Sequence, residues 1–261
     1  MNQPNVYEQS PGALQAESER LRTFDMPTQV SIEAISDVQP GTAVLDIGSG
    51  ENPSLNKYVH DRDATYVAFD IRAGALAEQQ AEGALALMGD ARELPIADES
   101  LDVVHARFVL GHFSTPDRAQ IMNEAMRCLK PDGKAVFIDY DWTAMHGSDA
   151  INQLRDFTIQ NIGVFDAAYG ARSTSETAAN LSGAADVTEL RKSSPLLADY
   201  TGPLKLREIT LKGLEASHAD TSLVAEANAI FNALEAESRS DDAPGFYMPD
   251  MVATIVHKPA A

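Results

Sequence analysis

The sequence predicts an α/β protein with a doubly wound, mostly parallel sheet of seven strands and a helical lid insertion. Three observations carry this prediction. Short apolar runs alternate with amphipathic segments, glycines follow the first run, and a polar stretch rich in Ala, Ser and Thr interrupts the alternation after residue 144. Strands of a parallel sheet are near-continuous apolar runs because helices cover both faces of the sheet. The 261 residues suit one elaborated domain or a core with a lid.

Five apolar runs between turn signals form the predicted core strands. The first is Thr42–Ile47, which follows the turn at residues 39–41 and ends in glycines. The other four runs lie at 64–70, 84–88, 101–106 and 134–140. A helix is expected at about 115–130, ended by Pro131-Asp132-Gly133, because one face of this segment is apolar: Ile121, Met122, Ala125, Met126 and Leu129.

The predicted elements divide the chain into four segments. Residues 1–38 are expected to form an N-terminal helical cap, 39–144 the core with the binding site, and 145–200 a helical or looped lid. Residues 201–261 are expected to complete the core sheet. In that last segment 204–211 alternates like a strand, a helix follows at about 221–238, and 251–257 is the final strand: the sixth and seventh of the sheet.

Composition limits the partners. The formal net charge is −19 at pH 7, and so acidic a surface repels phosphate backbones and anionic lipid, so we expect neither nucleic acid nor membrane as a partner. No apolar stretch reaches membrane-spanning length, and the N-terminus does not resemble a signal peptide. Cys128 is the single cysteine, which excludes an internal disulfide and a thiolate metal cluster. We expect a cytoplasmic monomer or homodimer without a metal site.

A binding site is predicted where the first strand ends, at Asp46-Ile47-Gly48-Ser49-Gly50. Ligands of doubly wound sheets bind outside the carboxyl ends of the strands, and glycines there let the backbone turn tightly and approach a ligand. Asp70 ends the second run 20 residues after Gly50, the spacing at which an acid reaches a pair of ribose hydroxyls.

Two cofactor classes use this arrangement, and two positions distinguish them. The dinucleotide fingerprint has a third glycine where this chain has Pro53. Asp46 would repel a pyrophosphate but attract a cationic amino acid and a sulfonium. The charges therefore favour S-adenosylmethionine as the cofactor, and a dinucleotide oxidoreductase is the rival from another class.

Five motifs in this order resemble those of class I S-adenosylmethionine-dependent methyltransferases, in the small-molecule group that includes the ubiquinone/menaquinone type. The resemblance covers about residues 40–142, slightly over a third of the chain. It implies the Rossmann-like methyltransferase fold and a cofactor-binding core at 39–144. The motifs are Asp46–Gly50, Phe69–Ile71, Gly89–Ala91, Leu101–Leu110 and Leu129–Lys134.

The resemblance implies roles for the residues that follow the first two strands. Asp46 and the backbone of Gly48-Ser49-Gly50 would hold the amino-acid end of the cofactor. Asp70 would accept the ribose hydroxyls, and Ile71 would pack on adenine. The chain departs from the family at Glu51-Asn52-Pro53, where Asn52 is expected to cap a short helix starting at Pro53.

The later motifs imply further contacts. Asp90 would accept from the adenine amino group, with the Ala91 amide beside it. Arg107 and Phe108 would line the methionine side after the fourth strand. Tyr7 lies where related enzymes close an N-terminal helix over the cofactor. His105, inside the fourth strand, is interpreted as a residue packed in the sheet.

Catalytic candidates must follow the fourth and fifth strands, because methyl transfer mainly requires a nucleophile positioned against the sulfonium methyl. An oxygen or nitrogen nucleophile also needs a base. His112 follows the fourth strand, and His146 lies behind the fifth. By alternation, either Tyr140 or the pair Asp139 and Asp141 faces the pocket. Our catalytic candidates are His112, Asp141 and Tyr140.

We expect a methyltransferase acting on O, N or C of a small molecule, such as a secondary metabolite or a quinone. Segments 145–200 and 212–248 would form the substrate wall. One alternative is an enzyme of the same fold that binds the cofactor and performs another reaction; a second is a protein or peptide methyltransferase. A nucleic-acid amino-methyltransferase is disfavoured, because no N-P-P-Y or D-P-P-Y sequence follows the fourth strand. Apolar candidates for the wall are Phe157, Ile162, Val164, Phe165 and Tyr169.

Overall fold

The computed structural model describes residues 26–51, 54–161, 170–181, 183–216 and 218–261. These residues form two compact units. The sheet unit comprises the described residues of 26–140, 170–192 and 251–261, and the helical unit those of 141–161 and 193–250. Part of the predicted lid, 170–192, thus belongs to the sheet unit. Tyr7, Asn52, Pro53 and 162–169 lie outside the described residues.

The described residues contain seven strands and eight α-helices. The strands are β1 (Ala43–Ile47), β2 (Thr65–Asp70), β3 (Leu85–Met88), β4 (Leu101–Arg107), β5 (Leu129–Asp141), β6 (Asp186–Lys192) and β7 (Asp250–His257). The helices are α1 (Met26–Ala34), α2 (Ser54–His60), α3 (Ala73–Ala81), α4 (Thr115–Cys128), α5 (Asp149–Asn161), α6 (Ala171–Ala178), α7 (Thr201–Ala216) and α8 (Thr221–Ser238).

The sheet confirms the predicted class. Its strand order is β3-β2-β1-β4-β5-β7-β6, β1 to β5 pair in parallel, and β6 pairs antiparallel with β7. Strand order reverses at β1, which lies between β2 and β4. This reversal opens a crevice outside the carboxyl end of β1, the place where ligands of such sheets bind.

The core of the sheet unit forms on the apolar face predicted for α4. Ile121, Met122 and Ala125 are fully buried against β-strand residues such as Leu45 and Phe137. The helix begins after Ser114, whose hydroxyl accepts a hydrogen bond from the Asp117 amide. It ends at Cys128, earlier than expected, because β5 starts at Leu129 and includes the turn signal at 131–133.

The sixth strand was predicted in the wrong segment. Residues 204–211 lie in α7, and the strand is β6, within the predicted lid. Asp199 accepts from the Thr201 amide at 2.9 Å, and Pro203 sits in the first turn, where a proline costs no helical hydrogen bond. β6 is an edge strand with mostly exposed, charged side chains, so it lacks an apolar run.

The segment 201–261 therefore supplies one strand to the sheet, together with two helices of the helical unit. In that unit α5, α7 and α8 bury apolar side chains that include Phe157, Leu214 and Phe231. Across the described residues, no helix combines the length and apolar character that crossing a bilayer requires.

Candidate functional site

The loop after β1 is fixed by contacts at Gly48 and Ser49 and has space beside Gly50 among the described residues. Gly48 and Gly50 have φ angles of +64° and +59°, which favour glycine. A Cβ at Gly48 would collide with the side chain of Val109, whereas a Cβ at Gly50 would meet no atom of the described residues closer than 3.9 Å. The Gly48 and Ser49 amides both donate to the Phe69 carbonyl, at 2.7 and 3.2 Å. The loop thus follows β2 closely and leaves space beside Gly50.

A buried glutamine on α3 holds the carbonyl side of this loop. Gln79 Nε2 donates to the Gly50 carbonyl at 3.1 Å and to the Ser49 carbonyl at 3.4 Å. Asn56 of α2 donates in turn to the Gln79 carbonyl at 3.5 Å. The helices that precede and follow β2 in the chain, α2 and α3, therefore fix the orientation of the loop peptides.

Asp70 is buried at the end of β2 and connects to the same loop. Its Oδ2 accepts from the Gly50 amide at 3.1 Å, and its Oδ1 accepts from the Arg72 amide at 2.9 Å. The Arg72 side chain pairs with Asp70 at 3.3 Å and reaches Glu51 at 3.8 Å. Ile71, the expected adenine contact, is 55% exposed. The structure thus brings Asp70, Gly50 and Ile71 to one edge.

Asp90, after β3, is held by an arginine. Arg92 donates to both carboxylate oxygens and bridges to Asp117 at 3.2 Å. Hydrogen bonding from Arg92 lowers the pKa of Asp90, so the carboxylate is ionised. Ala91 beside it is buried. An adenine amino group would share this carboxylate with Arg92.

Asp46 points into the sheet unit, where two other strands supply its partners. Tyr66 of β2 donates its hydroxyl to Oδ2 at 2.5 Å, and His105 Nδ1 of β4 lies 2.7 Å from Oδ1. Burial and the Asp46 charge raise the pKa of Tyr66 well above its ordinary value, so the phenol stays protonated and donates. His105 is buried, as expected, but both of its ring nitrogens are hydrogen-bonded.

Arg107 and Phe108 follow β4. Arg107 donates to Thr28 and Ser31 of α1 at 3.3 and 3.4 Å, and burial lowers the pKa of its guanidinium against the opposing effect of Asp46. Phe108 has a φ of +57°, which is strained for an aromatic residue. Its ring stacks on Tyr140 with centroids 4.5 Å apart. Such strain occurs preferentially at functional sites.

The catalytic candidates fall in three environments. His112 is exposed in a short turn of 3₁₀ helix, Leu110–His112. Tyr140 is buried and stacked on Phe108. Asp141 belongs to the helical unit, where its carboxylate accepts from the Thr143 amide at 3.1 Å. Tyr140 thus contacts Phe108, another predicted site residue of the sheet unit.

The two remaining polar candidates, Asp139 and His146, belong to different units. Asp139 is buried in the sheet unit, where desolvation raises its pKa to about 7. His146 belongs to the helical unit and stacks on Tyr247 at 4.5 Å. Of the predicted wall residues, Phe157 is buried in α5 and the others lie outside the described residues.

Four side chains support the site in a way that was not predicted from the sequence: Tyr66, Gln79, Arg92 and His105. The sequence contained a signal for one of these four side chains, that of His105. Asp46 and His105 are register partners in adjacent parallel strands, so their side chains project from the same face at the same height. Aligning the two runs from their carboxyl ends would have paired them. Gln79 and Arg92 gave no such signal, since their partners are backbone groups and a loop carboxylate.

The loop residues fit a bound ligand. Ser49 is buried, yet its hydroxyl has no hydrogen-bond partner among the described residues. Buried hydroxyls are usually satisfied, so this one is available to a ligand group. The free space beside Gly50 and the carboxylates of Asp46 and Asp70 surround the same turn.

Comparisons with known proteins agree with this geometry. Residues 45–137 match the family described as "Methyltransferase domain". A demethylmenaquinone methyltransferase of Renibacterium salmoninarum is 33% identical over 111 residues, which cover 42% of this chain and 45% of that protein. A ubiquinone/menaquinone biosynthesis C-methyltransferase of a Ruegeria species is 28% identical over 130 residues, covering 46% of this chain and 51% of that protein.

The fold is also that of a solved structure. The YcgJ protein of Bacillus subtilis matches with a TM-score of 0.60 and 14% identity, covering 91% of this chain and 100% of that one. The matches to the two curated relatives span about half of their length. The matched segment holds Asp46, the glycine loop, Asp70 and Asp90. Residues 45–137 therefore resemble a methyltransferase domain, and the described residues have the Rossmann-like methyltransferase fold.

Proposed function

We propose that this chain binds S-adenosylmethionine and transfers its methyl group to O, N or C of a small molecule. One observation carries the proposal. Carboxylates at the ends of β1 and β2 flank a glycine loop that has free space beside Gly50 and a buried hydroxyl, that of Ser49, without a partner among the described residues. The negative charges suit a cationic amino acid and sulfonium.

Different residues of the sheet unit would bind different parts of the cofactor. Asp70 would accept the ribose hydroxyls, because each carboxylate oxygen accepts two hydrogen bonds and Asp70 retains capacity beside Gly50 and Arg72. Ile71 offers an exposed apolar side chain to adenine, and Asp90 an acceptor for its amino group. When bound, the cofactor would supply an electrophilic methyl group on sulfur.

Positioning of the acceptor falls to the residues after β4 and β5. Tyr140, stacked on the strained Phe108, holds its hydroxyl in a fixed place. His112 is exposed and supplies a base for an oxygen or nitrogen acceptor. Asp141 is the third candidate for acceptor contact. A carbon acceptor would need positioning alone.

The substrate class rests on the relatives. The names of two of them concern menaquinone and ubiquinone, and this favours a quinone-like or secondary-metabolite substrate here. We further propose a cytoplasmic monomer or homodimer without nucleic-acid or membrane partners, since a net charge of −19 repels both surfaces. The alternatives are a non-methylating reaction on this fold and a protein or peptide substrate.

Calorimetric titration of two variants with S-adenosylhomocysteine tests the site. Gly48→Val places a side chain against Val109 at a positive φ, and Asp70→Ala removes the ribose acceptor. We expect Gly48→Val to abolish binding. Asp70→Ala should weaken it at least tenfold, the effect of losing hydrogen bonds to a charged group.

The matched control is Gly41→Ala. Gly41 also has a positive φ of +84°, but it precedes β1 and has no atom within 4 Å of the added Cβ. It carries the same backbone strain far from the carboxyl ends of the strands, so binding should match the wild type. Wild-type affinity in both site variants would contradict the site assignment.

A further inference from the structure

A continuous line of buried hydrogen bonds joins Asp46 to helix α1. His105 Nδ1 lies 2.7 Å from Asp46 Oδ1, and His105 Nε2 lies 3.0 Å from the Ser31 hydroxyl. Ser31 is on α1, within 3.1 Å of the Pro27 carbonyl, and it also accepts from Arg107. The second oxygen of Asp46 accepts from Tyr66. All of these residues belong to the sheet unit.

The residues of this hydrogen-bonded line are almost completely buried. Relative exposure is 0% for Ser31, 1% for His105 and 6% for Asp46. A carboxylate in such a place is costly unless hydrogen bonds replace its hydration. Tyr66 and His105 supply one bond to each oxygen, so removing either leaves a buried charge partly unsatisfied.

The hydrogen-bonding partners also orient the imidazole ring. An ionised carboxylate only accepts, so Nδ1 must carry the proton that faces Asp46. Nε2 faces the Ser31 hydroxyl at 3.0 Å, and that hydroxyl donates to the Pro27 carbonyl. His105 is thereby oriented from both sides, with its donor aimed at the acid that precedes the glycine loop by two residues.

We propose that His105 is a positioning residue of the cofactor site, which holds the Asp46 carboxylate in the orientation that the amino-acid end of the ligand requires. This inference rests on the proposed function. His105 has no contact with the ligand in this role. It acts through Asp46, and through Ser31 it links that carboxylate to α1.

Two amide substitutions distinguish a positioning role of His105 from a role in packing alone. In His105→Asn the side-chain amide nitrogen occupies the place of Nδ1 and still reaches Asp46. In His105→Gln the amide lies nearer the place of Nε2 and reaches Ser31 instead. Glutamine is the closer match to histidine in volume, so a role in packing alone would rank Gln above Asn. A positioning role predicts the reverse, with the His105→Asn variant binding more tightly than the His105→Gln variant.

The experiment titrates the full chain with S-adenosylhomocysteine by calorimetry and follows thermal unfolding of each variant in parallel. We expect His105→Asn to bind within about threefold of the wild type and His105→Gln at least tenfold more weakly, the range for a lost hydrogen bond to a charge. Tyr66→Phe, which removes the other bond to Asp46 with little change in shape, should weaken binding similarly.

A second measurement needs no ligand. Nitrogen-15 correlation spectra of the histidine side chains of the wild-type chain should show one ring protonated at Nδ1 and slow to exchange, and its signal should vanish in His105→Asn. Absence of that signal, or a glutamine variant that binds as well as the asparagine variant, would overturn the inference. Failure of the wild type to bind S-adenosylhomocysteine would contradict the proposed function, and the positioning role with it.

Discussion

The three acids at the carboxyl ends of β1, β2 and β3 are stabilised by different partners. Asp46 accepts from a phenol and an imidazole, Asp70 from backbone amides and Arg72, and Asp90 from the fork of Arg92. Within the described residues, Asp70 and Asp90 lie in direct ion pairs with arginine, and Asp46 interacts electrostatically with the buried Arg107. A nearby guanidinium therefore offsets part of the negative charge at all three positions.

Asp139 gives a residue-scale prediction about pH. Burial raises its pKa to about 7 from the ordinary 3.8, so the folded chain keeps this proton while the unfolded chain releases it. Between about pH 4 and pH 7 the folded state therefore binds more protons, and stability falls as pH rises. The loss is on the order of 4 kcal/mol above pH 7.

Asp139→Asn should abolish that decline. The variant is expected to be more stable than the wild type at pH 8 and similar to it at pH 4, as measured by urea unfolding across this range. The control is Asp132→Asn, an exposed acid on the same strand whose φ of +64° also suits asparagine, and it should leave the pH profile unchanged. A profile of Asp139→Asn that parallels the wild type would refute the assignment of the proton.

At the scale of elements, the connection between β3 and β4 contains no helix in residues 89–100, and side chains of α4 hold it instead. Arg127 donates to the Leu94 and Ile96 carbonyls at 3.0 and 2.8 Å, and Glu124 accepts from the Leu94 amide at 2.9 Å. This connection follows Asp90 and Ala91. Its order therefore bears on Asp90, the acceptor that we propose for the adenine amino group.

Arg127→Met should destabilise the chain by about 2 kcal/mol, because two carbonyls and the Glu124 carboxylate lose their donor. Arg239→Met is the matched control. Arg239 is 74% exposed and pairs with Glu235 one turn away, so its loss should change stability by less than about 0.5 kcal/mol. Equal effects of both substitutions on urea unfolding would show that Arg127 does not hold the connection.

Helices and strands were predictable from the sequence where they have a continuous apolar run or an apolar face. β1, β2, β4 and α4 have apolar runs or faces that the core requires, and they lie close to the predicted ranges. β6 escaped prediction because an edge strand with one neighbour is exposed and charged. Residues 204–211 were misassigned because Leu204 and Leu206 mimic alternation locally, while Asp199 and Pro203 mark a helix start.

At the scale of the whole molecule, the acidic surface and the site chemistry agree. There are 39 acidic and 20 basic residues, and a field of this sign favours cationic over anionic ligands. Charge and motif order were readable from the sequence. The supporting contacts of Tyr66, Gln79 and His105 were not, because they depend on strand register and on which helix packs behind the loop.

We propose that the turn at Asp46–Gly50 holds S-adenosylmethionine, and not a dinucleotide. Calorimetric titration of the full chain with S-adenosylhomocysteine and, separately, with NADH tests it most directly. We predict saturable binding of one S-adenosylhomocysteine per chain and no heat from NADH at the same concentrations, since Asp46 repels a pyrophosphate. Binding of NADH with no binding of S-adenosylhomocysteine would contradict the account.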